Sequence, residues 1–277
     1  MSRLALDLSG TPCLLDFEGF HLPLAVVAGD AAFSLAPWTY RRHIDTLRAS
    51  TRAAGTDIRL DTRRLAAAVL ACLELPDALA RALEPIALWW AAGGDDALPT
   101  PPPDGDWLDL GPAGRARLHP WSERQRFAAL SAALEGDGDD TWFDPVAYLD
   151  AMVRASLLVL DGPAPLDDVD ARATAVLLHA TVALNVTRDE DEALLEGGPA
   201  ARESVKREWA ARTLRLCQAL GWTPARVWAT PAAEIDRLLR LLDMVRPAPR
   251  QARPPRLADH PDATVIRIED DPPRAAG

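Results

Sequence analysis

Only one lysine, Lys206, occurs in the chain; every other basic residue is an arginine. With abundant Ala and Pro, this reads as a coding bias rather than a mechanism. Cysteine is scarce as well: Cys13, Cys72 and Cys217 are far apart and odd in number. They build neither a disulfide framework nor a metal-type spacing, so a reduced, cytoplasmic setting is expected. No apolar run is long enough to span a bilayer. The first residues, MSRLALDLSGTPCLLDF, carry Asp7 and Asp16 and lack the sustained apolar core of a signal peptide.

Catalytic signatures are missing too. There is no Gly-x-Ser-x-Gly elbow, no phosphate-binding loop and no Gly-x-Gly-x-x-Gly after a strand. No two of His21, His43, His119, His179 and His260 stand at metal-binding helical spacing. His179 reads as a hydrogen-bonded core histidine, and His119 precedes Pro120 at a strand end. Asp137, Asp139 and Asp140 in GDGDDTW lack the further ligands and closing Glu of a calcium loop, so they read as a solvated turn. Asn185-Val186-Thr187 matches a glycosylation sequon, which is idle in a cytoplasmic chain. The expectation is a protein with no catalytic centre, no metal and no cofactor.

Positive charge is also in deficit. The formal net charge is −11, which argues against nucleic acid or an anionic membrane as the main partner. An acidic body hinders like-charged partners and speeds encounter with basic ones.

What the sequence does contain is a recurrence. Displaced by 83 positions, Leu24 to Leu75 falls on Trp107 to Leu158 without a gap. Pro37-Trp38 lands on Pro120-Trp121, Thr39 on Ser122, Arg41 on Arg124, Leu47 on Leu130 and Asp61 on Asp144. The unit reads as a short hairpin, Pro-Trp-(Thr/Ser), a helix, then an Asp at the next helix start. Trp38 and Trp121 read as packing anchors between hairpin and helix.

In chain order, Leu4 to Leu35 holds short apolar alternations, with Gly29-Asp30 placed for a tight turn between two strands. A helix follows from Trp38 through Ile44 and Leu47, ending near Gly55. Asp61 or Thr62 caps the next helix, with the stripe Leu65, Val69, Cys72 and Leu73. Another runs from Asp77 through Leu79, Leu83, Ile86 and Trp90 to Gly93-Gly94. Trp89 and Trp90 point about 100° apart on a helix, so one of them is expected at the surface as a contact residue.

The run ALPTPPPDG, Ala97 to Gly105, cannot join a helix or a sheet ladder. It reads as a boundary between the two repeats or, equally, as a long surface loop. A second hairpin uses Trp107 to Leu110 and Arg115 to Leu118. A helix over Trp121 to Leu134 follows, then a helical stripe from Val146 to Leu160. Asp167 to Leu184 reads as a helix whose second half is centrally buried.

A charged connector, Arg188 to Glu196, leads to a helical module with Val205, Trp209, Leu216, Cys217 and Leu220 on one face. Thr223-Pro224 and Thr230-Pro231 both read as a cap followed by a first-turn proline. Trp209, Trp222 and Trp228 read as a small core with a last helix carrying Ile235, Leu238, Leu239, Leu242 and Val245. The Pro/Arg-rich end, 247–277, reads as disordered, with one β-prone run from Thr264 to Ile268.

The expected architecture is α+β, mostly α. Residues 1–97 hold the N-terminal segment and first repeat, 106–196 the second repeat, 199–246 a helical module and 247–277 the tail.

The segment LGWTPARVWATPAAEIDRLLRLL, Leu220 to Leu242, resembles the C-terminal end of tail assembly chaperones of tailed phages. The matching positions are Gly221, Trp222, Thr223, Pro224, Trp228, Thr230, Pro231, Glu234 and Ile235. It is also similar to baseplate hub assembly chaperones of contractile phages and related injection systems. The resemblance implies a cytoplasmic, non-enzymatic helper without a cofactor that binds a tail or baseplate protein during assembly. The alternative is a generic bacterial protein-binding adaptor. Trp222, Trp228, Ile235, Leu239 and Leu242 are the expected partner-binding residues, with internal core as their other possible fate.

Overall fold

The computed structural model describes residues 2–8, 11–54, 57–71, 73–103, 105–136, 141–185 and 200–245. The fold is α+β and mostly helical. It begins with an antiparallel meander of β1 (Ser2–Leu8), β2 (Thr11–Phe17), β3 (Leu24–Ala28) and β4 (Ala31–Leu35). Alternation sets its faces: Leu24, Val26 and Ala28 are buried while Ala25 and Val27 are exposed. Gly29, at φ +57°, makes the expected turn with Asp30, pairing Ala28 with Ala31.

The helix α1 (Tyr40–Ser50) starts at the Thr39 cap and ends earlier than expected. Thr51 turns extended, and β5 (Thr51–Ala54) pairs with β6 (Asp57–Leu60). This hairpin has no strong alternation in sequence; the pairing itself organises it. The cap of α2 (Thr62–Leu70) is Asp61, whose Oδ1 accepts the Arg64 amide at 3.0 Å. α3 (Asp77–Ala92) buries Leu83, Ile86 and Trp90. Gly93, at φ +75°, closes it, and a Cβ there would lie 2.6 Å from the Arg172 Cα. Glycine is required both for the left-handed backbone and for that close approach. Trp90 is fully buried with Nε1 donating to Ala36 O at 3.0 Å. Trp89 is half-buried against Phe17 and Phe20, each ring 5.2 Å away. The tryptophan pair therefore anchors an aromatic cluster rather than projecting a contact residue.

From Trp107 the chain continues with β7 (Trp107–Asp109) and β8 (Arg115–Leu118), then α4 (Glu123–Ala133), β9 (Leu134–Glu135), β10 (Trp142–Phe143) and α5 (Pro145–Ser156). The expected helical stripe to Leu160 stops at Ser156. Leu157–Asp161 is instead a strand, β11, added antiparallel to β8. Its run of Leu and Val suits either state, and the free edge of β8 decides. α6 (Ala171–Asn185) begins later than expected, at Asp170, whose Oδ1 accepts the Ala173 amide at 2.9 Å. Its second half is not buried all round: His179, Val182 and Ala183 are exposed. His179 is thus a surface residue, not a core histidine.

The element order recurs at the displacement read from sequence. α1 and α4 each span 11 residues and start 83 positions apart, at Tyr40 and Glu123. Each follows a buried Pro-linked Trp, Trp38 or Trp121, and a hydroxyl cap, Thr39 or Ser122. Each leads through a short hairpin to an Asp-capped helix. The Asp61 amide donates to Ser50 O at 2.9 Å, and the Asp144 amide to Ala133 O at 2.8 Å, the same bond in the same register. The first helical amides are also satisfied alike, by carbonyls brought from elsewhere. Tyr40 N donates to Val169 O at 2.9 Å, just ahead of α6. Glu123 N donates to Thr230 O at 3.0 Å, just ahead of α9 (Ala232–Val245). An outside carbonyl thereby satisfies one of the amides that every helix start leaves orphaned.

The described residues up to Leu239 pack as one compact unit, and those from Arg240 fall in a second. The stretch 97–103 is a loop within the first unit, not a border between separately packed bodies; Pro101, Pro102 and Pro103 line a cleft with Leu118, Ala180 and Leu184. Three cores fill the first unit. One lies between the meander and α2 and α3, and one among β7, β8, α1, α5 and α6. The third joins α4 and α5 to Val205 and Trp209 of α7 (Ala200–Leu220). Among the described residues no helix is long and apolar enough to cross a membrane. The acidic turn 137–140, the connector from 186 and the Pro/Arg-rich tail lie outside the described residues.

Candidate partner-binding surface

The helical module consists of α7, the short α8 (Pro224–Ala229) and α9. As expected, Thr223 caps α8 by accepting the Arg226 amide at 3.3 Å, with Pro224 in the first turn. Thr230 does not repeat this. Its hydroxyl donates back to Arg226 O at 2.8 Å, and the first amides of α9, Glu234 and Ile235, reach Pro231 O.

The module docks on the start of α4 through polar contacts that sequence reasoning missed. The Ala232 amide donates to Trp121 O at 3.0 Å, beside the Glu123-to-Thr230 bond. The Trp121 amide donates to Oδ1 of Asn185 at 2.9 Å, and the Asn185 amide group donates to Ser156 Oγ at 2.8 Å. The sequon asparagine is therefore a buried clamp at the end of α6.

Beneath this seam four ionisable side chains meet. Arg126 donates to both carboxylate oxygens of Asp236, at 2.5 and 2.7 Å, and approaches Glu123 at 2.8 Å. Arg212 of α7 reaches Asp236 as well, and Glu123 at 3.8 Å. Asp236 is 0% and Glu123 1% exposed. Both guanidinium groups lie over the Trp209 ring, at 5.7 and 5.9 Å from its centre. The i, i+3 spacing of Glu123 and Arg126 was visible in sequence, but their two partners arrive from 86 and 110 positions beyond.

Burial raises the Glu123 carboxyl to about 7 although Arg126 and Arg212 oppose the shift. Its folded state holds a proton that the unfolded chain releases near 4.5. The stabilising contribution of this group is therefore full below about 4.5 and lost as pH rises to about 7. Glu123→Gln should remove that slope, which thermal denaturation of both proteins across the same pH window will show. Clefts of about 550, 440 and 290 Å³ lie elsewhere in the protein and are not lined by Glu123. The cluster joins α4, α7 and α9 through its ion pairs. Among the described residues no group of three or more His, Cys, Asp or Glu is placed to hold a metal ion.

The five residues expected to bind a partner are divided by the fold. Ile235 is 0% and Leu239 7% exposed; both face inward and cannot form a docking surface. Helical spacing places them on the face that carries Asp236 and Ala232 into the protein. Leu242 is half-buried in the second compact unit. Trp222 is half-buried with the Arg226 guanidinium 4.4 Å above its ring. Trp228 is 40% exposed, so only Trp209 of the three module tryptophans is core. Nε1 of Trp228 donates to Thr213 Oγ1 of α7 at 3.2 Å, and Arg124 of α4 lies 5.6 Å from the ring centre. Leu214, 57% exposed, adjoins that threonine, and Leu220 lies two turns along from it on α7. The result is an exposed indole fixed from two sides.

Charge is segregated along the chain. Residues 1–199 carry 16 Arg against 31 Asp and Glu, a charge of −15, whereas residues 200–245 carry eight Lys and Arg against five Asp and Glu, a charge of +3. The whole-chain value of −11 thus conceals a basic module.

No protein-family model matches the chain, and no curated protein or solved structure matches it either.

Proposed function

We propose that this protein is a non-enzymatic, cytoplasmic assembly chaperone or structural accessory of a phage-like contractile tail or baseplate. It binds a tail or baseplate protein through the α7–α8 surface. The observation that carries the reading is Trp228: an indole left exposed yet held by Thr213 and Arg124, within the segment resembling tail chaperones. Large apolar side chains that are both exposed and fixed are characteristic binding anchors, because little side-chain entropy remains to be lost on docking. The polar cluster beneath the surface serves to hold the platform, which needs no cofactor. A generic adaptor would use the same surface for an unrelated bacterial protein, and the identity of the partner separates the two.

Affinity purification from the native host, followed by mass spectrometry, tests the proposal. Recovery of tube, sheath or baseplate proteins supports it; a partner unrelated to any phage-like particle favours the adaptor. Trp228→Ala should abolish recovery while the variant still unfolds in a single cooperative transition on heating. Loss of folding in this variant would instead make Trp228 a structural residue.

A further inference from the structure

We infer that the chain's own segment 264–271 docks on the outer face of the last two turns of α9 and covers it. This contact is separate from the Trp228 surface and does not depend on it. α9 turns Ala232, Ile235, Asp236 and Leu239 into the protein. On the side away from them lie Leu241, Met244 and Val245, neighbours by i, i+3 and i, i+4 spacing in one continuous helix. Met244 and Val245, 73% and 78% exposed, are the most exposed large apolar side chains among the described residues, and Leu241 is exposed beside them. Arg237 and Arg240, both exposed, stand one turn before Leu241 and Met244 on the same face.

Among the described residues neither arginine has an ion-pair partner. Of the carboxylates on α9, Asp236 is buried, Glu234 lies in the first turn, and Asp243 stands about 100° round from Met244. Residues 264–271, TVIRIEDD, carry the complementary chemistry: Val265, Ile266 and Ile268, then Glu269, Asp270 and Asp271. Only one other large aliphatic residue, Leu257, occurs in 247–277, and no proline interrupts the run. The order fits as well. A segment folding back antiparallel to α9 meets Val245, Met244 and Leu241 first, with its aliphatic residues, and then Arg240 and Arg237, with its carboxylates.

The connection allows this return. Residues 246–263, eighteen in all, join Val245 to the segment. At about 3.3 Å each they reach up to about 60 Å, against about 21 Å for the length of α9. The tether also sets an effective concentration on the order of millimolar, so a few contacts suffice. A second copy suits the face less. A two-fold contact presents the same patch from both sides, so arginine would meet arginine. The segment thus shields the apolar end of α9 from water and from other chains until it is displaced.

The test is methyl NMR of the full-length chain, isotope-labelled at the methionine methyl groups. There are three methionines, Met1, Met152 and Met244, and Met244→Leu assigns the signal of interest. Met152, in the core, reports on folding. The Met244 signal should be displaced from the position of a free methionine methyl, whatever the protein concentration. In Val265→Ser/Ile266→Ser/Ile268→Ser it should shift to that free position while the Met152 signal stays unchanged. Glu269→Arg/Asp270→Arg/Asp271→Arg, which keeps every apolar residue, should release it too, and so should Arg237→Glu/Arg240→Glu. Combining the two charge reversals should restore the displacement. A Met244 signal that is the same in wild type and the serine variant overturns the inference. So does a displaced signal that neither charge reversal moves. A displacement lost on dilution, with dimers seen by sedimentation, assigns the face to a second copy and overturns it as well.

Discussion

Asp236→Ala should lower the unfolding free energy by about 3–5 kcal/mol, among the largest effects of any single substitution in the protein. The loss does not measure the worth of one ion pair. Asp236 is fully buried and receives both guanidinium groups of the cluster. Removing it leaves Arg126, itself 7% exposed, without its closest counter-charge and unable to reach water. Burial opposes a charged guanidinium, but Asp236 and Glu123 more than compensate and push Arg126 above its ordinary range, so it stays charged. Urea denaturation of wild type, Asp236→Ala, Arg126→Met and the double variant checks the argument. The double variant should be more stable than Asp236→Ala alone, because it removes the stranded charge along with its partner. Additive losses would mean that the two residues do not act as one group.

Trp121→Ala should cost a similar amount, about 3–5 kcal/mol, by a different mechanism. Its side chain is 1% exposed and meets Tyr148 edge-on at 5.3 Å. Truncation opens a void among Ala129, Leu130, Met152 and Trp209, to which α4, α5 and α7 all contribute. Because the Trp121 backbone also carries the bonds to Asn185 and Ala232, relaxation around the void would loosen the docking of α9. Trp121→Phe should lose much less. The indole Nε1 has no hydrogen-bond partner, so the ring change sacrifices volume but also removes a buried unsatisfied donor. Trp38 shares that unsatisfied Nε1 and is 5% exposed, so Trp38→Ala and Trp38→Phe should follow the same order. A Phe variant as unstable as the Ala variant at either position would show that the indole makes a polar contact this structure lacks.

Much of the local structure was legible in the sequence because it rests on neighbouring residues. The Gly29-Asp30 turn, the Asp61 and Asp144 caps, the Gly93 stop and the Thr223-Pro224 start each need only the chemistry of a few adjacent positions. The displacement of 83 positions was also visible, since equivalent caps and anchors keep equivalent spacing. Outcomes that depend on distant chain were not. Leu157–Asp161 became a strand because β8, some 40 residues earlier, offered it an edge. Of the five residues expected at the surface, Trp228 is exposed while Ile235 and Leu239 are buried, because amphipathic spacing defines an apolar face without stating what covers it.

The candidate surface divides in the same way. Composition and spacing pointed to the C-terminal tryptophans and to the absence of catalytic motifs, both properties of the linear chain. Only the tertiary structure separated buried Trp209 from exposed Trp228 and placed Arg124 over its ring from another helix. Only there do Glu123, Arg126, Arg212 and Asp236 come within ion-pair distance. Short-range rules fix helices, turns and caps from adjacent residues. Burial and charge pairing depend on which remote segments exclude water from a side chain, and that is decided only when the helices pack.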